Sequence, residues 1–115
     1  MVIEYLEKIR EYFQNQKVDI VAEIQSLKNR LKENTEIKKV LEENNDPYFE
    51  VFTPRTVNGF NKRKIDELNI ENKKIENTIS TLVIKLEDID NEIDKVNLVI
   101  KTAKEKEQLL NSLKY

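Results

Sequence analysis

Proline and glycine are confined to one short stretch of this 115-residue chain, where Pro47, Pro54 and Gly59 are the only residues of either type. Residues 2–45 and 61–114 contain no helix breaker, so each segment can form one continuous helix. At 1.5 Å per residue these helices would be about 65 and 80 Å long, and rods of that length need a partner for their apolar faces. We therefore predict one domain, residues 1–115, with helix 2–45, link 46–60 and helix 61–114.

The second helical segment carries a seven-residue repeat of apolar side chains. Twelve of its fourteen a and d positions are apolar, over seven heptads. The a positions are Ile65, Asn72, Ile79, Leu86, Ile93, Ile100 and Glu107, and the d positions are Leu68, Ile75, Leu82, Ile89, Val96, Ala103 and Leu110. An apolar period of 3.5 residues keeps one seam facing a partner, and it is typical of a left-handed coiled coil.

The first segment repeats less strictly. Its d-like row is Leu6, Phe13, Ile20, Leu27, Asn34 and Leu41, and its a-like row is Ile3, Arg10, Lys17, Ile24, Leu31 and Lys38. The d-like row is the more apolar, so we expect it to form the seam. A short link between two such helices favours an antiparallel hairpin, in which each helix covers the stripe of the other. The predicted fold class is all-α, an antiparallel coiled-coil hairpin.

Two asparagines predict the register of this hairpin. In an antiparallel pair, facing residues have numbers with a constant sum, and a sum of 106 places Asn34 beside Asn72. A slip of one heptad would bury each amide against an aliphatic side chain, and an unsatisfied buried amide costs about 1 to 3 kcal/mol. The same register brings Lys17 near the acidic residues 87–94 and residues 62–64 opposite residues 42–44, but exposed ion pairs only bias register.

Composition excludes most site chemistry. The chain has no His, Cys or Trp, so imidazole bases, thiolate nucleophiles and Cys/His metal sites are absent, and one glycine cannot build a phosphate-binding loop. A two-helix rod offers no concave site for carboxylate acid/base chemistry. We predict a protein that is not an enzyme and has no catalytic residue, no cofactor, no metal site and no small-molecule substrate.

Net charge, hydropathy and cysteine content limit the partners and the cellular compartment that the sequence predicts. A net charge of −2 argues against nucleic acid as a partner, because such binding depends on many released counterions. The longest runs of large aliphatic residues are far shorter than the roughly 18 needed to span a bilayer, so no membrane association is predicted. The absence of cysteine fits a reducing compartment, and we predict a cytoplasmic protein.

A second apolar row lies outside the seam of the long helix. Ile70, Ile84 and Leu98 fall at f positions, which normally face water, and Val83 and Val99 are close to them in sequence. We predict that these five residues form an interface through which two hairpins dimerise into a four-helix bundle. The alternative is scattered surface aliphatics, which are common on soluble proteins.

The link is unusually aromatic. Its candidate partner-binding residues are Tyr48, Phe49, Phe52, Arg55 and Phe60. One interpretation is a plug that covers the open end of the hairpin, and the other is an exposed recognition site for a protein partner. Side chains three apart in an extended segment point to opposite faces, so Phe49 and Phe52 are expected to divide between packing and recognition.

Residues 45–55, Asn-Asp-Pro-Tyr-Phe-Glu-Val-Phe-Thr-Pro-Arg, resemble the link in the coiled-coil input region of DegS-type sensor histidine kinases of low-GC Gram-positive bacteria. The resemblance covers about eleven residues between two heptad-bearing helices. It implies a cytoplasmic, dimeric region that signals through helix packing. The chain departs from those kinases because it has neither a phosphoacceptor histidine nor a glycine-rich ATP lid.

The predicted function is that of a non-catalytic coiled-coil interaction module, a signalling input or adaptor element that acts as a homodimer. Two other classes stay open. The layout of helix, link and helix is similar to a prefoldin-like chaperone subunit, although the link is short and contains proline. The other class is a small mobile-element protein that inhibits a host enzyme by docking its rod or tip, which is also compatible with the sequence.

Overall fold

The computed structural model describes the backbone of residues 2–43 and 55–114, and the side chains of residues 2–43, 59 and 61–114. Helix α1 is Val2–Glu43, with 42 residues, and helix α2 is Arg55–Leu113, with 59 residues. Side chains of α1 form hydrogen bonds with side chains of α2 at Arg10 with Asn97 and at Asn34 with Asn72. The predicted all-α helical hairpin is therefore confirmed.

The second helix begins earlier than the sequence predicted. Residues 55–60 were assigned to the link, but they form the first turns of α2, so the predicted start at residue 61 is six residues too late. Gly59 was read as a breaker, yet it lies inside the helix with open space where a Cβ would be. A single glycine costs a helix only about 1 kcal/mol relative to alanine, which a long packed helix tolerates.

The contacts divide the structure into two compact units, and each contains a length of both helices. One unit is Ile24–Thr81, and the other combines Met1–Glu23 with Leu82–Tyr115. The single domain expected for residues 1–115 stays a prediction.

The unit Ile24–Thr81 has its core on the predicted seam. Leu68 is only 3% exposed, and Ile24 and Ile75 are also buried. The remaining large seam residues of this unit are half-buried: Leu27, Leu31, Leu41, Ile65 and Ile79. Burying large aliphatic side chains contributes about 1.5 to 3 kcal/mol each, so this strip of side chains supplies most of the stability of the unit.

The unit of residues 1–23 and 82–115 is built in the same way. Ile20, Ile89 and Ile100 are buried. The a and d side chains around them are half-buried: Ile3, Leu6, Phe13, Leu82, Leu86, Ile93, Val96 and Ala103. Towards the end of α2 the pattern stops, because Leu110 is exposed although it continues the d row.

Candidate interaction surfaces

The paired asparagines form a polar layer inside the seam of the unit Ile24–Thr81. Asn34 Nδ2 donates a hydrogen bond to Asn72 Oδ1 at 2.9 Å. Asn34 is buried and Asn72 half-buried, so each amide would lose solvation without this partner. Their numbers sum to 106, the register that the two asparagines favour.

Polar members of the a-like row of α1 also face α2. In the unit of residues 1–23 and 82–115, Lys17 Nζ lies 2.7 Å from Asp90 Oδ1, as predicted for the acidic segment. Arg10 Nη1 donates to Asn97 Oδ1 at 3.1 Å. Both basic side chains are half-buried along their stems, so their charged ends reach polar partners at the edge of the seam. The d-like row is therefore not the whole seam of α1.

The expected charge pairing at the other end of the hairpin is not present. Among the described side chains, no ion pair joins residues 62–64 to Glu42 or Glu43, and Arg63 Nε instead donates to the carbonyl of Gly59 at 3.4 Å. Lys38 Nζ lies 3.9 Å from Glu42, one turn along its own helix. Surface charges are long and flexible, so local partners compete successfully with those across the hairpin.

The outer row of α2 is an exposed apolar surface on that helix. We use this name for Ile70, Val83, Ile84, Leu98 and Val99, the predicted oligomer interface. Ile70, Ile84 and Leu98 are 59%, 61% and 66% exposed, and Val83 and Val99 are exposed as well. The five residues are available to a further protein chain.

The corresponding positions of α1 are different. Lys8, Asn15, Ala22, Asn29 and Glu36 occupy its f positions, and all five are exposed. None is a large aliphatic residue. The f positions of α1 therefore differ from those of α2, although α1 exposes large apolar side chains at other positions, among them Val18, Val21, Ile37 and Val40.

Exposed apolar residues also occur at the end of α2. Leu109, Leu110 and Leu113 are exposed, and Leu110 lines a shallow groove of about 640 Å³ together with Val2, Ile3 and Ala103. Charged side chains of Glu4, Lys106 and Glu107 complete the groove. Its walls mix charged and apolar groups, and nothing in it selects a particular ligand.

The predicted partner-binding residues of the link cannot be placed. Tyr48, Phe49 and Phe52 lie outside the described residues, and Arg55 and Phe60 belong to α2 but their side chains are not described. The roles of these five residues in plugging the hairpin or binding a partner stay predictions.

Within residues 2–43 and 55–114, neither helix has a stretch long and apolar enough to cross a bilayer. In the same part of the chain, no three acidic side chains are grouped so that they would hold a metal ion.

Comparison of the chain with protein-family models, with curated proteins and with solved structures finds no match. The resemblance of residues 45–55 to the DegS-type link therefore gains no independent support. Arguments about function depend on the surfaces described above.

Proposed function

We propose that the protein is a non-catalytic coiled-coil interaction module that acts as a homodimer through the outer row of α2. The observation that carries this proposal is the exposure of Ile70, Ile84 and Leu98 at f positions, where a finished two-helix rod would carry polar residues. Covering such a row removes apolar surface from water at about 25 cal/mol per Å². A second hairpin supplies a matching row, because both copies have the same sequence.

A module of this kind transmits information by changing how helices pack. We propose a signalling input or adaptor role in the cytoplasm of a bacterium, supported by the resemblance of residues 45–55 and by the absence of cysteine. The outer row provides the dimer in this role, and the aromatic residues of the link provide partner specificity. These surfaces bind the protein partner, and the role needs neither a cofactor nor a small-molecule substrate.

Sedimentation velocity tests the self-association. The wild-type chain of 13.7 kDa should sediment as a dimer, and the double substitution Ile84→Glu with Leu98→Glu should sediment as a monomer. Both proteins should keep their helical circular dichroism, because neither position belongs to the seam. A wild-type monomer at concentrations where the protein is fully folded would refute the proposed dimer.

A matched control separates the position of the new charges from their number. Asn15→Glu with Asn29→Glu adds the same two charges at f positions of α1, also 14 residues apart. This variant should remain a dimer. If it dissociates as completely as the α2 variant, net charge rather than the outer row governs the assembly.

Three functional classes then separate by their partners. A signalling module dimerises alone and recovers a defined cytoplasmic protein from its host, whereas an inhibitor forms a tight 1:1 complex with one host enzyme. A chaperone suppresses aggregation of unrelated unfolded proteins. Suppression of aggregation at substoichiometric amounts, without a defined partner, would contradict the adaptor role.

A further inference from the structure

We infer that two hairpins associate antiparallel, with a two-fold axis at Ile84 of α2. This inference rests on the proposed self-association and adds its polarity and register. The partner is a second copy of this chain, and facing residues of the two α2 helices have numbers that sum to 168.

The inference comes from the complete f row of α2. Every seventh residue is exposed, and the row reads Arg63, Ile70, Asn77, Ile84, Asn91, Leu98 and Glu105. This order is chemically symmetric about Ile84. A two-fold interface requires that if residue i contacts residue j, then j contacts i. In the proposed register isoleucine meets isoleucine or leucine, asparagine meets asparagine, and arginine meets glutamate.

The asparagines are the most selective members of the row. Asn77 would face Asn91 of the second copy, and this pair occurs twice across the axis. An amide placed against an aliphatic side chain in a dry interface costs about 1 to 3 kcal/mol. The seam of the hairpin already satisfies two amides in this way, since Asn34 donates to Asn72 at 2.9 Å.

A parallel dimer is less favourable. It would also pair each apolar residue and each asparagine with its own copy, but it would place Arg63 against Arg63 and Glu105 against Glu105. In the acidic segment 87–94, the three carboxylates directly beside the row, Glu87, Asp88 and Asp94, would lie against those of the second copy. Like charges in direct opposition are destabilising, and the acidic segment makes them numerous.

A different antiparallel axis, at Asn91, fails for the same reason. It would pair Ile84 with Leu98, but it would place Asp88 against Asp94 and leave Ile70 opposite Ser112 of the second copy. With the axis at Ile84, residues 87–94 instead face residues 74–81, which contain only two charged side chains, Lys74 and Glu76.

Charges beside the row support the axis at Ile84. Lys74 would face Asp94, and Glu67 would face Lys101 of the second copy. Among the b and c positions that flank the row, one like-charged pair is created, Lys73 with Lys95, but Lys95 Nζ already lies 3.3 Å from Glu92 on its own helix. Three further like-charged pairs, Glu76 with Glu92, Lys62 with Lys106 and Lys64 with Lys104, fall at e and g positions, which are farther from the centre of the contact. Exposed pairs contribute only a few tenths of a kcal/mol each, so they select the register while the aliphatic residues hold the dimer.

Single-cysteine crosslinking tests the axis, because the natural chain has no cysteine. Ile84→Cys should give a covalent dimer in high yield with a short bismaleimide, which adds one cysteine thiol at each end, and Asn91→Cys should give little. As a positive control, an equimolar mixture of Asn77→Cys and Asn91→Cys chains should crosslink, because these positions face each other across the axis.

Each other pattern overturns the inference. Crosslinking of Asn91→Cys alone would move the axis to Asn91, and equal crosslinking of both single variants would indicate a parallel dimer. No crosslinking in a protein that still sediments as a dimer would place the interface on another face, so the chain would self-associate but not through the outer row. If the wild-type protein is a monomer in the sedimentation experiment described above, the proposed function itself is refuted.

Discussion

The inner and outer faces of α2 have similar sequence patterns but differ in how much of their apolar surface is buried. Both carry aliphatic side chains at heptad spacing, and both interrupt them with asparagine. On the inner face α1 supplies the partner, so Leu68 and Ile75 are buried and Asn72 accepts a hydrogen bond from Asn34. On the outer face Ile70 and Ile84 remain exposed. The two faces therefore differ in whether α1 covers them, and we propose that a second copy of the chain covers the outer one.

The largest difference between the faces is expected from substitutions only two residues apart. Leu68→Ala removes a side chain that is 3% exposed, and it should lower the free energy of unfolding by about 3 kcal/mol. Ile70→Ala, at 59% exposure, should change it by less than about 0.5 kcal/mol in the monomeric Ile84→Glu, Leu98→Glu background. Urea titration, monitored by circular dichroism, measures both changes in the free energy of unfolding. Equal losses would mean that the two faces are not distinct in the folded hairpin.

The asparagine layer should give the next largest effect. Asn34→Leu leaves the Asn72 amide unpaired in the seam and should cost about 1 to 3 kcal/mol. Adding Asn72→Leu removes the second amide and should recover most of that loss, because replacing both partners with apolar groups is close to neutral.

A crosslink distinguishes register from stability in these variants. A disulfide between cysteines at positions 27 and 79 should form readily in the natural register, whereas one between positions 27 and 72 should not. The yield at 27 and 79 should fall in the Asn34→Leu, Asn72→Leu protein, because its seam no longer penalises a slip. Efficient closure of 27 with 72 alone would contradict the sum of 106.

The ion pair between Lys17 and Asp90 at the edge of the seam should contribute least to the stability of the hairpin. Asp90→Asn removes the ion pair with Lys17. Because both of these side chains are about 45% exposed, the substitution should lower the free energy of unfolding by less than about 1 kcal/mol at low salt. The loss should shrink further as salt is added. Asp88→Asn is the matched control, since Asp88 makes no ion pair among the described side chains. If both substitutions have the same effect, the pairing itself contributes nothing.

The helices and their seam were predictable because the determinants are local and repeated. Confinement of Pro47, Pro54 and Gly59 to one stretch implied two long helices, and the heptads of residues 65–103 indicated which side chains are covered, whereas the last two heptad positions, Glu107 and Leu110, are exposed. The asparagine pair could be located because a misplaced amide is costly. Its predicted partner is the one that it contacts in the structure.

Other features depended on small or context-dependent energies. The start of α2 was placed too late because a helix tolerates Gly59 at a cost of about 1 kcal/mol. The contribution of Arg10 to the seam was missed, since a charged residue at an a-like position looks like a defect until its long stem and its bond to Asn97 are seen. The exposure of Ile84 and Leu98 does not itself identify a partner, and the proposal of a second copy depends on the order of residues along the whole f row.

The dependence of thermal unfolding on protein concentration tests the central claim most directly. If the outer row joins two copies, mass action requires the melting temperature of the wild-type chain to rise with concentration. The melting temperature of the Ile84→Glu, Leu98→Glu variant should be constant over the same range, while the Asn15→Glu, Asn29→Glu control should behave like the wild type. A wild-type melting temperature that does not change with concentration, or a concentration dependence that survives in the α2 variant, would contradict the account.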